Sequence, residues 1–80
     1  MKLIETLMNR LGATWTVEHR ESARLSNIGG FLMTYRDRGR ITLNTRLSSD
    51  QKERGRSTLL GRLADTPTGT SGVYLWDPNE

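Results

Sequence analysis

The sequence predicts one small α+β domain with an N-terminal helix, a three-stranded antiparallel sheet, a second helix and a C-terminal strand-like tail. Apolar residues recur at helical spacing in two segments and alternate with polar residues in three short segments between them. Glycine or polar turns separate these segments. We expect residues 1–65 to form the domain, 66–72 a linker, and 73–80 a strand or tail that packs on the domain or on a second copy.

The first helix is predicted over residues 1–11, because five apolar residues recur there at helical spacing and a glycine follows as a stop signal. These residues are Leu3, Ile4, Leu7, Met8 and Leu11, followed by Gly12. Trp15 and Val17 then alternate with polar neighbours, which predicts a first strand that ends near His19.

The second strand is predicted over residues 31–36. Phe31, Met33 and Tyr35 share one face, while Leu32 and Thr34 share the other, and this pattern favours a central strand with both faces partly covered. Residues 36–40 are expected to form a hairpin in which the glycine at position 39 is available for a positive φ. A third strand is predicted over residues 40–44 from alternating apolar residues.

The second helix is expected to begin after Ser48, because Ser48 and Gln51 have the spacing of a capping box. An apolar stripe of Leu59, Leu60 and Leu63 predicts that its last two turns pack on the sheet. Gly55 inside this helix costs ~1 kcal/mol relative to alanine, so the first two turns are expected to be frayed or kinked.

The tail contains four large residues in a row after a small, polar linker. These residues could add an edge strand, pack into the core, swap into a second copy or present a binding motif. We favour packing within the chain, because Tyr74 and Trp76 supply much of the aromatic area of the sequence. If the tail does not pack, Tyr74, Leu75 and Trp76 become the candidate partner-binding residues.

The third strand and second helix resemble the ImmA/IrrE-type zinc metallopeptidases. The lead-in positions Ile41, Leu43, Arg46 and Leu47 and the helix positions Thr58, Leu59 and Leu63 match that family. Where the family has His-Glu-x-x-His, however, this chain has Gly61, Arg62 and Asp65. Catalytic zinc needs three protein ligands and a base. The resemblance therefore implies a degenerate relative that is not an enzyme and holds no metal or cofactor.

Positive charge is concentrated in residues 36–62, where eight basic residues and three acidic residues give a net charge of +5, against +3 for the whole chain. Arginine suits bidentate contacts with phosphate or carboxylate groups. The candidate nucleic-acid-binding residues are Arg36, Arg38 and Arg40 on the hairpin and Arg54 and Arg56 on the helix. A solvated basic surface is the alternative, because no known nucleic-acid-binding signature accompanies these residues.

The 80-residue chain has no cysteine and one histidine, which fits a reducing cytoplasm. It shows no signal-peptide pattern and no apolar run of membrane-spanning length. We predict a cytoplasmic, non-catalytic protein-interaction factor, in the manner of a small phage or mobile-element accessory protein that acts on a host or regulatory protein. The alternative is a basic nucleic-acid-binding module, and homo-oligomerisation is left open because so short a chain buries a small core.

Overall fold

Four strands form one mixed sheet, and a helix packs on one of its faces. The computed structural model describes residues 9, 11, 14–25 and 27–79. The elements are β1 (Thr16–Ser22), β2 (Gly30–Tyr35), β3 (Arg38–Asn44), α1 (Ser49–Ala64) and β4 (Gly72–Trp76). Their order across the sheet is β1-β3-β2-β4. Strand β1 runs parallel to β3, whereas β2 runs antiparallel to both β3 and β4.

The predicted three-stranded antiparallel sheet is wrong in strand number and in strand direction. The tail contributes β4 as a fourth strand, and β3 lies between β1 and β2, so these consecutive strands do not pair. The connection from β1 to β2 is too long for a tight turn, and these strands lie on either side of β3, so the connection crosses the end of β3 instead of forming a hairpin. The predicted N-terminal helix lies outside the described residues, apart from positions 9 and 11.

One buried side chain at the end of β3 holds the crossing segment in place. The side-chain amide of Asn44 donates to the backbone oxygens of Leu25 and Ile28. Its backbone N–H donates to the Gly29 oxygen at 2.8 Å, and its Oδ1 accepts from the backbone N–H of Arg46 at 3.0 Å. Because Asn44 is buried, these bonds replace water that the loop carbonyls would otherwise need.

We therefore expect Asn44→Ala to lower the free energy of unfolding by about 1–3 kcal/mol, because it leaves buried backbone groups without partners. Urea denaturation followed by circular dichroism measures this change. Asn27→Ala is the control, because Asn27 is exposed in the same segment and its replacement should change stability by less than about 0.5 kcal/mol. Equal effects of the two replacements would show that Asn44 does not hold the crossing.

The core lies between the sheet and α1. It is formed by Leu11, Trp15, Leu32, Ile41, Leu43, Leu59, Leu60, Leu63 and Trp76. Helix α1 begins as the sequence predicts, with the hydroxyl of Ser48 accepting from the backbone N–H of Gln51 and the Gln51 side chain accepting from the backbone N–H of Ser48. The leucine stripe of α1 then reaches the sheet in the last two turns.

The hairpin between β2 and β3 is shorter than predicted. Its loop consists of Arg36 and Asp37, and the positive φ of 56° falls on Arg36. Gly39 lies within β3 and is buried. A Cβ atom at this position would lie 2.7 Å from a methyl carbon of Leu63. The glycine at position 39 therefore permits close approach of α1 to the sheet, and the turn does not depend on it.

Trp76 occupies a slot between two glycines. A Cβ atom on Gly55 would lie 2.6 Å from the indole, and one on Gly29 would lie 2.8 Å from the same ring. Helix α1 continues through Gly55, so the predicted fraying of its first turns is not observed. The glycine is needed because the indole packs directly against the helix backbone, and this packing fixes β4 against the rest of the sheet.

Candidate functional site

The face of the sheet opposite α1 is the candidate site, and we call it the open face. Strand pairing places the side chains of alternate residues on this face. The large or charged ones belong to Glu18, Arg20, Phe31, Met33, Tyr35, Arg38, Arg40, Val73 and Leu75, and the small polar ones to Thr16, Ser22, Thr42 and Asn44. On β2 and β3 the other alternation, which includes Leu32 and Ile41, is buried under α1, whereas His19 and Glu21 of β1 on that side are exposed. The open face is exposed at Met33, Tyr35, Val73 and Leu75 and at Arg38 and Arg40, whereas Thr42 and Asn44 at the other end of β3 are buried.

Four large apolar side chains are exposed on β2 and β4, and we call them the apolar strip. Their exposed fractions are 42% for Met33, 58% for Tyr35, 56% for Val73 and 65% for Leu75. Met33 and Val73 are directly paired across the two strands, so the strip is continuous. Contiguous exposed apolar surface on a small protein marks an interaction site more often than scattered single residues do.

Charged residues on β1 and β3 border the apolar strip. The Nε atom of Arg40 donates to Glu18 Oε2 at 3.2 Å, and Nη2 of Arg20 lies 3.5 Å from the same oxygen. The hydrogen bond and the charge of Arg40 hold the pKa of Glu18 below its ordinary value. Arg38 lies on the same face of β3, so this half of the open face carries three guanidinium groups and one carboxylate and has net positive charge.

A shallow cavity of about 200 Å³ lies where the apolar and charged halves meet. Met33 and Tyr35 supply its apolar lining, and Glu18, Arg38 and Arg40 supply its charged lining. A second cavity of about 250 Å³ continues along the hairpin. There the guanidinium of Arg36 lies 5.3 Å from the centroid of the Tyr35 ring, within cation–π range. These two adjoining cavities, which we call the cleft, combine the Tyr35 ring with the guanidinium groups of Arg36, Arg38 and Arg40.

The five arginines predicted to bind nucleic acid do not form one surface. Arg36 lies at the hairpin, and Arg38 and Arg40 lie on the open face. Arg54 and Arg56 lie on α1, on the other side of the sheet. Arg54 Nη2 donates to the Pro78 oxygen at 2.7 Å, so this side chain braces the segment after β4.

Arg56 lies near His19 of β1. Burial lowers the pKa of His19 below its ordinary value, and the charge of Arg56 lowers it further. His19 is therefore neutral near pH 7, on the side of the sheet that faces α1. It takes no part in the open face.

The three tail residues predicted to bind a partner are also separated. Trp76 is buried, and Tyr74 is half-buried on the α1 side, where the guanidinium of Arg62 lies 5.3 Å from its ring centroid. Only Leu75 lies on the open face. Met33 and Tyr35 were not predicted as site residues, although their alternation with buried neighbours was the available signal.

The positions that correspond to the metallopeptidase motif lie away from the open face. Gly61, Arg62 and Asp65 line a cavity of about 440 Å³ at the end of α1, together with threonines and Tyr74. Thr66 Oγ1 donates to the backbone oxygen of Arg62 at 2.8 Å. Within the described part of the chain, no three His, Cys, Asp or Glu side chains lie close enough together to hold a metal ion.

Comparison of the chain with models of known families, with curated proteins and with solved structures gives no match. The likeness to the ImmA/IrrE-type family stays a prediction from the sequence. Over residues 9, 11, 14–25 and 27–79, no helix combines the length and the apolar character that crossing a membrane requires.

Proposed function

We propose that the protein is a non-catalytic interaction module that binds a protein partner on the open face of its sheet. The observation that carries the proposal is the apolar strip, whose four side chains are each more than 40% exposed. Tyrosine, methionine and arginine are enriched in protein interfaces, and the cleft is lined by Met33, Tyr35, Arg38 and Arg40. These residue types favour a protein partner over a small-molecule substrate.

The chemistry of the open face also indicates what the partner presents. Apolar side chains of the partner would cover the apolar strip, and carboxylates beside them would meet the guanidinium groups of Arg38 and Arg40. Such pairs form short, charge-assisted hydrogen bonds. The resemblance to the ImmA/IrrE-type family supports a regulatory protein as the partner, because members of that family often act on repressors. A small accessory protein of a phage or mobile element fits this role.

A second candidate function is binding of single-stranded nucleic acid on the same face. The observation in its favour is that the aromatic rings of Phe31 and Tyr35 share the open face with Arg38 and Arg40. Bases stack on aromatic rings of such sheets while cations contact the phosphates. Arg54 and Arg56 would not contact a nucleic acid bound in this way, since they lie on α1, on the other side of the sheet.

Selection of peptides from a random displayed library against the purified protein tests the main proposal. We expect enriched peptides that combine apolar and acidic residues. Tyr35→Ala should weaken the best peptide by at least about tenfold, because a central interface tyrosine contributes on the order of 2 kcal/mol. Arg36→Ala should also weaken it, whereas Arg62→Ala should leave affinity within about twofold.

Arg36 and Arg62 form a matched pair, because each guanidinium lies 5.3 Å from a tyrosine ring, one at the hairpin and one on the α1 side. Equal sensitivity to both replacements, or failure to enrich any peptide of this type, would contradict binding on the open face.

A fluorescein-labelled oligothymidylate of about 12 nucleotides distinguishes the second candidate, because it offers bases and phosphates without secondary structure. Nucleic-acid binding predicts an affinity that falls with salt at a log–log slope near 0.7 per phosphate contacted, together with a loss of affinity in Tyr35→Ala. The protein-partner proposal predicts no saturable binding at ~150 mM salt. Saturable, Tyr35-dependent binding at that salt would favour the nucleic-acid function.

A further inference from the structure

Strand β4 is an edge of the sheet that lacks the usual protection. It is the last strand in the order β1-β3-β2-β4, so among the described strands it pairs on one side only. Its five residues, Gly72–Trp76, include no charged side chain and no proline. An edge strand without charge, proline or a bulge offers its unpaired backbone groups to another strand.

The opposite edge of the sheet differs. Strand β1 carries four ionisable side chains among its seven residues, namely Glu18, His19, Arg20 and Glu21. Three of these, Glu18, Arg20 and Glu21, are charged, and charged side chains keep an edge hydrated and oppose strand addition. The contrast between the two edges indicates that strand addition, where it occurs, takes place at β4.

We infer that β4 pairs with β4 of a second copy of the chain, antiparallel, across a two-fold axis at Tyr74. This register uses the whole strand. It sets Val73 opposite Leu75 of the second copy, and Leu75 opposite the second copy's Val73. Both side chains are more than half exposed in the single chain, so the pairing covers apolar surface on both copies.

A second copy of the chain suits the free edge of β4 because this strand is complementary to itself. A two-fold axis requires that the same segment suit itself, and β4 brings no like charges together in this register. The flanking residues also agree, because Asp77 falls opposite Ser71 of the second copy, so no two carboxylates meet. Tyr74 meets its own equivalent on the α1 side, and aromatic cross-strand pairs of this kind are favourable.

The pairing would join two sheets into one of eight strands and bring both open faces onto the same side. The inference stands apart from the proposed function, because it depends on the backbone edge and residues of β4, whereas partner binding is tested at Tyr35 on β2. Each can therefore fail without the other.

Sedimentation equilibrium over micromolar to millimolar concentrations tests the dimer. The unmodified chain should self-associate, and Val73→Lys with Leu75→Lys should weaken association by at least about tenfold, because two like-charged cross-strand pairs replace two apolar pairs. The control is Met33→Lys, since Met33 is exposed on the same face but lies on the interior strand β2. Circular dichroism verifies that each variant is folded.

Cysteine cross-linking tests the register, because the natural chain has no cysteine. A mixture of Val73→Cys chains and Leu75→Cys chains should form a disulfide between them, since directly opposite Cβ atoms lie about 4.5–5.5 Å apart. Either chain alone should cross-link poorly, because the diagonal separation is about 7–8 Å. A chain that is monomeric at every concentration, a dimer dissociated only by Met33→Lys, or preferential cross-linking of like chains would each overturn the inference.

Discussion

Trp76→Ala is expected to lower the free energy of unfolding by about 3–5 kcal/mol, the range for removing a buried tryptophan. The indole is 6% exposed and fills the slot between Gly29 and Gly55, so the variant leaves a cavity that neither backbone segment can fill. Small domains have a total stability of only about 5–15 kcal/mol. Urea denaturation followed by circular dichroism should show the variant partly or wholly unfolded at room temperature.

Leu75→Ala is the control for this prediction. Leu75 is the neighbour of Trp76 in β4, but 65% of its side chain is exposed on the opposite face. At a dilution that keeps the chain monomeric, its replacement should change stability by less than about 0.5 kcal/mol. Similar losses from the two replacements would mean that the slot does not hold β4.

Two glycines of α1 should respond to alanine with opposite signs. Alanine normally stabilises a helix interior by about 0.5–1 kcal/mol relative to glycine. Gly61→Ala should show this gain, because nothing lies within 4 Å of a Cβ atom there. Gly55→Ala should instead destabilise the fold by about 1–3 kcal/mol, because its Cβ atom would overlap the Trp76 ring and force β4 or α1 to move.

Combining the same two variants with a replacement of Trp76 tests whether the indole causes the cost of Gly55→Ala. In a Trp76→Leu background the ring is absent, so Gly55→Ala should lose most of its cost, while Gly61→Ala should keep its gain. Denaturation midpoints of the six chains suffice for the comparison. A cost of Gly55→Ala that persists unchanged without the indole would assign it to the helix backbone and contradict the packing of Trp76 on α1.

The features that the sequence predicts well are local ones. The capping box at Ser48 and the leucine stripe of α1 follow from residue spacing along one helix, and the structure contains both. The alternation of residues 31–35 likewise assigns Leu32 and Met33 to different faces, as the structure does. In each case the determining interactions lie within a few residues of one another.

The features that the sequence does not reveal depend on contacts between distant segments. Strand β1 pairs in parallel with β3 because the connection between β1 and β2 crosses the end of β3. The spacing of residues along the chain does not indicate that crossing. Gly39 and Gly55 carry no local signal for their role, because the need for a missing Cβ atom arises only when Leu63 or Trp76 packs against them.

The exposure of the open face was not predicted from the sequence, because it too depends on contacts between distant segments. Large apolar residues at both alternations of β2 favoured a strand covered on both sides. The structure shows that only the Leu32 side is buried, while Met33 and Tyr35 are exposed. The number of layers that cover a sheet is a property of the whole fold, and a strand pattern alone does not determine it.

The most direct test of binding on the open face is a ¹⁵N–¹H correlation spectrum of the labelled protein, titrated with the peptide that the library selection enriches. We predict that the largest shift changes fall on the amides of residues 31–35, 38–40 and 73–75, with little change around the cavity at the end of α1. Shift changes concentrated at Gly61, Arg62 and Asp65 would contradict the account and assign binding to that cavity.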